Sequence, residues 1–319
     1  MSEFIPALIP GIQYSLGDKQ SSSNMKIDTL SFVQHLLQNQ GQQASVFHPH
    51  APVLVPAIIQ AVSDPFYKIS SEALLVLESL VKVLRPFKDS FDFTPYTAKV
   101  YDCCYVRLKA SDIDQEVKER AISCMGQIIA HLGDQLKKDL PSCLPIFLER
   151  LKNEITRLTA VKALISIAKS PLKIDLKAIL ADSLPILAGF LRKNQRALKL
   201  SSLALLDTLV KNYSGQISDK NLEPVLIELQ PLLTDSDLHI AQLTMNLLTS
   251  VAKLHKNSLS KIQSTCLPQI FHLSQSPLLQ GAALNAMLEF FQSLVNAKLP
   301  GKKLYCIIML NYLHKLMKE

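Results

Sequence analysis

One pattern recurs along this chain at intervals of roughly 40 residues, and it constrains the fold more than any other feature. An apolar stretch, often with a proline near its start, runs into a short polar turn. A second stretch then opens with a β-branched or aliphatic residue. A small residue follows four positions later, and an apolar pair seven and eight positions later. The clearest copy is Val117, Ala121, Cys124 and Met125. Others are Ile69, Ala73, Val76 and Leu77; Thr156, Ala160, Ala163 and Leu164; Ala197, Ser201, Ala204 and Leu205; Ile240, Thr244, Leu247 and Leu248; and Leu279, Ala283, Ala286 and Met287. A weaker copy begins at Ile27. The anchors are spaced by 42, 48, 39, 41, 43 and 39 residues. Positions i, i+4, i+7 and i+8 share one face of an α-helix. The small residue lets a neighbouring helix approach, and the larger pair fills the groove between helices. Burying one Leu or Met there contributes roughly 1.5–3 kcal/mol.

The first stretch of each unit follows the same logic. His48 to Val62, Leu140 to Leu151, and Ser183 to Leu191 with Pro185 read as first helices. Proline is tolerated in a helix's first turn, where its missing N–H has no partner to lose. The turns carry Asp64-Pro65, Asp112 to Gln115, Asn153-Glu154, Lys193-Asn194, Asp235 to Asp237 and Ser276-Pro277, and their Asp, Asn and Ser side chains suit helix capping. Short polar linkers join the pairs at Asn39–Ser45, Arg85–Asp92, Lys211–Asp219 and Lys253–Ser258; Phe87–Thr94 is the longest insertion. The period is that of HEAT and armadillo repeats. The expected fold is therefore an all-α, HEAT-type, armadillo-like α-solenoid of about seven helix pairs. The expected repeats span 1–45, 46–86, 94–134, 138–171, 175–212, 219–255 and 259–297, with a divergent basic tail over 298–319.

Composition agrees. With 48% apolar and 19% charged residues the chain is globular, and only 9 glycines in 319 residues leave no Gly-rich phosphate loop. The formal charge of +7 is modest. Lys137-Lys138 and Arg192-Lys193 are basic patches suited to acidic protein surfaces or phosphates, but no nucleic-acid-reading motif accompanies them, so no direct nucleic-acid binding is expected. Six cysteines, at positions 103, 104, 124, 143, 266 and 306, form no C-x-x-C pair and read as buried thiols in a reducing compartment, cytosol or nucleus. The N-terminus lacks the layout of a signal peptide, and no run of apolar residues is long enough to suggest a membrane span.

A search for chemistry finds no site. Asp112 and Asp114 form a carboxylate pair in a repeat turn, where capping is the simpler role. His48 and His50 flank a proline with no further metal ligands nearby. No G-x-S-x-G elbow is present, and no cysteine has an activating neighbour in sequence. Neither enzyme activity, nor a small-molecule substrate, nor a cofactor or metal is expected. A regular solenoid instead offers an extended surface for many shallow contacts, its second helices lining one side.

Specific segments go beyond the generic repeat. SSSNMKIDTLS (Ser21–Ser31), VFHPH (Val46–His50), SDPFYKISSEALLV (Ser63–Val76), DIDQEVKERAISCMGQII (Asp112–Ile129), FLERLKNEITRLTAVKALISIAKSPLKIDL (Phe147–Leu176), FLRKNQRALKL (Phe190–Leu200) and SPLLQGAALNAMLEFFQSLV (Ser276–Val295) occur in order. Through them the chain resembles the cullin-associated and neddylation-dissociated proteins, also known as TATA-binding-protein-interacting proteins of the 120 kDa class. Several divergent positions are more like the second paralogue. The family binds unneddylated cullin–RING scaffolds, wraps along them and excludes the substrate adaptor, promoting exchange of substrate receptors. The resemblance implies a non-catalytic scaffold regulating ubiquitin-ligase assembly in cytoplasm and nucleus. A transcription-factor adaptor binding TATA-binding protein, or a transport-receptor-like module, is the alternative.

The family's members are several times longer, so the resemblance implies a middle section of the array. It lacks the repeats that meet the RING end, those that block the adaptor site, and the acidic insertion. After about Val295 the resemblance stops; Leu304, Ile308 and Tyr312 give the basic tail an amphipathic side that reads as a substitute end cap. The residues expected to meet a partner are Lys118, Arg120, Arg157, Lys162, Arg192, Lys193, Arg196 and Lys199, on second helices and the turns before them.

Overall fold

The computed structural model describes residues 4–39, 44–85, 91–111 and 113–297. Asp112, half of the Phe87–Thr94 insertion, most of the Asn39–Ser45 linker, and the tail over 298–319 with Cys306 lie outside these residues. Fifteen α-helices and no strand are found among the described residues. They form two compact units, Met1–Leu176 and Lys177–Glu319.

In the first unit, four helix pairs stack. First helices α1 (Ile5–Gly17), α3 (Ala51–Val62), α5 (Thr94–Lys109) and α7 (Leu140–Lys152) pack in sequence, as do second helices α2 (Ser23–Asn39), α4 (Tyr67–Leu84), α6 (Gln115–Leu132) and α8 (Arg157–Ala168). In the second unit, α9 (Lys177–Phe190) and α11 (Asp219–Leu229) form one layer with α13 (Leu259–Thr265). Second helices α10 (Arg196–Tyr213), α12 (Leu238–Leu254) and α15 (Gly281–Asn296) form the other. The first helix of the last pair is split. After α13 it restarts as α14 (Leu267–Ser274), because Pro268 has no N–H for the carbonyl of Ser264.

Buried anchors hold the second helices together. Ile69, Ala73, Val76 and Leu77 on α4 are all at most 2% exposed, and the equivalent residues of α6, α8, α12 and α15 are buried too. Two copies of the motif are read one residue out of register. On α10 the buried face is Leu198, Ser202, Leu205 and Leu206, whereas Ala197 is exposed and Ser201 and Ala204 half-buried. On α2 it is Leu30, Val33, Gln34 and Leu37, and Ile27 is half-buried. In both helices small or apolar residues stand side by side, so the pattern alone admits two registers, and the larger side chains take the core.

The prolines also correct the expectation. Pro6, Pro52, Pro95 and Pro141 do open their helices. Pro10, Pro56, Pro145, Pro185 and Pro224 lie inside theirs; α9 begins at Lys177 and not at Ser183. An interior proline costs about 3 kcal/mol in an isolated helix, through a ring clash and a lost hydrogen bond. Here every such ring, and every residue four positions before it, is exposed, which leaves the freed carbonyl on the side where water can satisfy it. The opposite face stays packed.

Caps define the turns. The Asp114 carboxylate accepts from the Glu116 N–H at 2.8 Å, and Asp237 accepts from His239 and Ile240 at 3.2 and 3.1 Å. The segment Ala44–Val62 is long and apolar enough, by length and composition, to count as a candidate membrane span, contrary to the sequence reading. It comprises two short 3-10 turns followed by α3, whose apolar side packs on α1, α4 and α5.

Candidate partner-binding surface

The second helices present a solvent-facing strip in each unit. In the first unit it is built from α4, α6 and α8. Gly126 sets the spacing of α6 and α8: a Cβ there would lie 2.8 Å from the Ala163 Cβ and 3.1 Å from its Cα. Beside it, the Gln127 Nε2 donates to the Ser166 Oγ at 3.1 Å. Residues three and four apart share a helix face. The strip therefore carries Arg120, Ser123 and Gln127 from α6, and Lys162 and Ser166 from α8.

The structure divides the eight expected basic residues. Arg120, half-buried, and Lys162, exposed, lie on this strip. Lys118 is two residues from Arg120 and so faces away from it. Arg157 is drawn into the turn before α8, where it pairs with Glu154 at 3.5 Å and its side chain is 11% exposed.

In the second unit, Arg196 and Lys199 share a face at the start of α10, and Arg192 and Lys193 are exposed in the preceding turn. Arg192 pairs with Glu228 at 3.0 Å. Arg196 holds Asp237 through two hydrogen bonds, of 2.7 and 3.3 Å, and thereby braces the α12 cap. The bond to Asp237 raises the Arg196 pKa, and the same bond holds the Asp237 carboxyl below the usual carboxylate range. Three of the eight are thus engaged within the chain.

Two arginines were not singled out from sequence. The Arg107 Nε donates to the Val62 carbonyl at 3.0 Å, and an Arg150 guanidinium nitrogen donates to the Leu108 carbonyl at 2.6 Å. Each reaches back one repeat to the C-terminal end of the preceding first helix, where orphan carbonyls and the negative end of the helix dipole favour a cation. Their signal is an Arg-Leu-Lys tripeptide at 107–109 and again at 150–152.

The thiols are structural. Burial pushes Cys103 and Cys143 up to about 12 and raises Cys104 well above the ordinary thiol value, far from a nucleophile's range. His48 is buried, 2.8 Å from the Val83 carbonyl through Nε2, and stacks on Phe91 at 4.1 Å. Among the described residues no group of three or more His, Cys, Asp or Glu could hold a metal ion. The cavities described are open grooves, such as one of about 620 Å³ between α1 and α3 lined by Pro10, Tyr14 and Pro56.

A family model described as CAND1-like, TPR repeats, matches residues 1–125. The chain is 51% identical over 313 residues to cullin-associated NEDD8-dissociated protein 1 of Drosophila melanogaster, a match covering 97% of this chain and 25% of that protein. The chain is a homologue of the cullin-associated NEDD8-dissociated proteins. Cullin-associated NEDD8-dissociated protein 2 of Mus musculus is 46% identical over 302 residues, covering 94% and 24% of the two chains. Cullin-associated NEDD8-dissociated protein 1 of Arabidopsis thaliana is 42% identical over 300 residues, covering 92% and 24%. The chain spans about a quarter of the length of these curated relatives. Among solved structures, a designed armadillo repeat protein superposes with a TM-score of 0.58 at 18% identity, over 75% of this chain and 99% of that one. That likeness shows the fold, an armadillo/HEAT-like repeat array.

Proposed function

We propose that this homologue of the cullin-associated NEDD8-dissociated proteins is a non-catalytic scaffold. It holds a cullin–RING ligase scaffold that lacks NEDD8 and so regulates ligase assembly and substrate-receptor exchange. One observation carries the reading: identity of 51% over 97% of the chain to a protein named for cullin association and NEDD8 dissociation. The architecture supports it. Within each unit, stacked helix pairs give an open surface, and shallow contacts spread over several repeats suit a large protein partner better than a small substrate. Arg120 and Lys162 on the α6–α8 strip, and Lys193 and Lys199 beside α10, are the residues we assign to the partner; Lys118, Arg157, Arg192 and Arg196 contribute less, because each faces away or is engaged within the chain. A reducing compartment, cytosol or nucleus, fits the free thiols.

The test is co-elution in size-exclusion chromatography, with a pull-down, against an unmodified cullin–RING complex and its NEDD8-conjugated form. The expected result is a complex with the unmodified form alone, weakened by R120E/K162E. A folded chain that ignores both forms refutes the reading for this stretch.

A further inference from the structure

The opposite edge of the first unit, where one helix pair hands over to the next, carries a separate feature. The α6–α7 loop runs from Gly133 to Asp139 and the α8–α9 loop from Lys169 to Leu176. The second is held against the last turn of α6 and the start of the first. The Ser170 Oγ donates to the Ala130 carbonyl at 2.5 Å, and Ile174 packs so tightly on Gly133 that a Cβ there would lie 2.5 Å from the Ile174 Cδ1.

Four lysines stand exposed on this joined edge: Lys137 and Lys138 from one loop, Lys169 and Lys173 from the other. Among the described residues none of the four has a carboxylate partner. Of the acidic neighbours, Asp134 is already matched by Arg85, two of whose nitrogens bond its two carboxylate oxygens. Asp139 sits at the N-cap of α7, where the helix dipole favours its charge, and Asp175 has an interaction of its own. The lysines thus outnumber the open carboxylates.

The backbone adds a second sign. Lys173 has φ of +52°, the one positive-φ position among the described residues not filled by glycine. A left-handed residue with a Cβ costs about 1–2 kcal/mol, so the loop holds Lys173 in a locally strained conformation.

We propose that this edge docks an acidic polypeptide segment. Lysines are compact, strongly hydrated charges that steer and hold carboxylates at an exposed site. Single-stranded nucleic acid fits less well, because its binding combines a basic groove with aromatic stacking platforms, and the two loops carry no aromatic residue. The edge is distinct from the second-helix strip and does not depend on which protein binds there.

The experiment uses the full chain and fluorescence anisotropy at low salt, with a fluorescein-labelled oligoglutamate and a single-stranded oligonucleotide of equal charge as probes. K137E/K138E/K169E/K173E is compared with K19E/K220E/K253E/K256E, which reverses four exposed lysines elsewhere and changes the formal charge of +7 equally. Oligoglutamate affinity is expected to fall by about tenfold or more in the first variant and far less in the second. Equal losses would mean that only net charge matters, and would overturn the proposal. So would tighter binding of the oligonucleotide than of the peptide. Circular dichroism confirms the fold, and K137E/K138E alone serves as a milder version with the same expected direction.

Discussion

The register of α10 gives a sharp test, because sequence pattern and structure disagree there by one residue. Leu198 is 0% exposed and Ala197 is exposed. Leu198→Ala removes three carbons, at about 0.8 kcal/mol each for lost burial. The remaining cavity adds to this, for a total of about 2–5 kcal/mol. Ala197→Glu places a carboxylate in water and should change stability by less than about 0.5 kcal/mol. In the register read from sequence the two values exchange: Ala197 would be packed and Leu198 would face solvent. With no tryptophan in the chain, urea unfolding is followed by far-ultraviolet circular dichroism. Hydrogen exchange of the α10 amides localises the effect, since repeat arrays can unfold in stages. Refutation is simple: Ala197→Glu as costly as Leu198→Ala would show that the face assigned to the core is wrong.

Other expectations follow from the same contacts. Ser202 is fully buried and its hydroxyl has no hydrogen-bond partner among the described residues, so Ser202→Ala should raise the urea midpoint, by about 1 kcal/mol in stability. Lys173→Gly relieves the left-handed strain but loosens the unfolded chain, for a net gain of up to about 1 kcal/mol in the same assay. Burial lowers the His131 pKa below 6.5, so its neutral form belongs to the folded state. Its contribution is complete above the unfolded value and declines as pH falls from there through the folded pKa; His131→Gln should flatten stability against pH across that window. Finally, the raised thiol pKa values predict that iodoacetamide at neutral pH leaves Cys103, Cys104 and Cys143 largely unlabelled until urea unfolds the chain, as mass spectrometry would read.

The helical class, the repeat and the homology were legible in the residues themselves. An i, i+4, i+7, i+8 pattern selects one face of a helix whatever surrounds it, and in copies such as Val117–Met125 and Ile69–Leu77 a shift of one residue either way puts a charged residue on that face. Likewise Asp114 and Asp237 act as caps through contacts only a few residues long, which sequence order dictates. Basic side chains on second helices could be named, but not sorted.

Tertiary structure alone decided which of those side chains remain available. Arg196 meets Asp237, and Arg192 meets Glu228, across a full repeat, a separation at which sequence carries no orientation. It also chose between adjacent registers on α10 and α2, because only the neighbouring helix determines whether Leu198 or Ala197 has somewhere to go. The interior prolines are tolerated for the same reason. A helix packed on one side can leave a carbonyl to water on the other, and which side faces water is a property of the stack rather than of the proline.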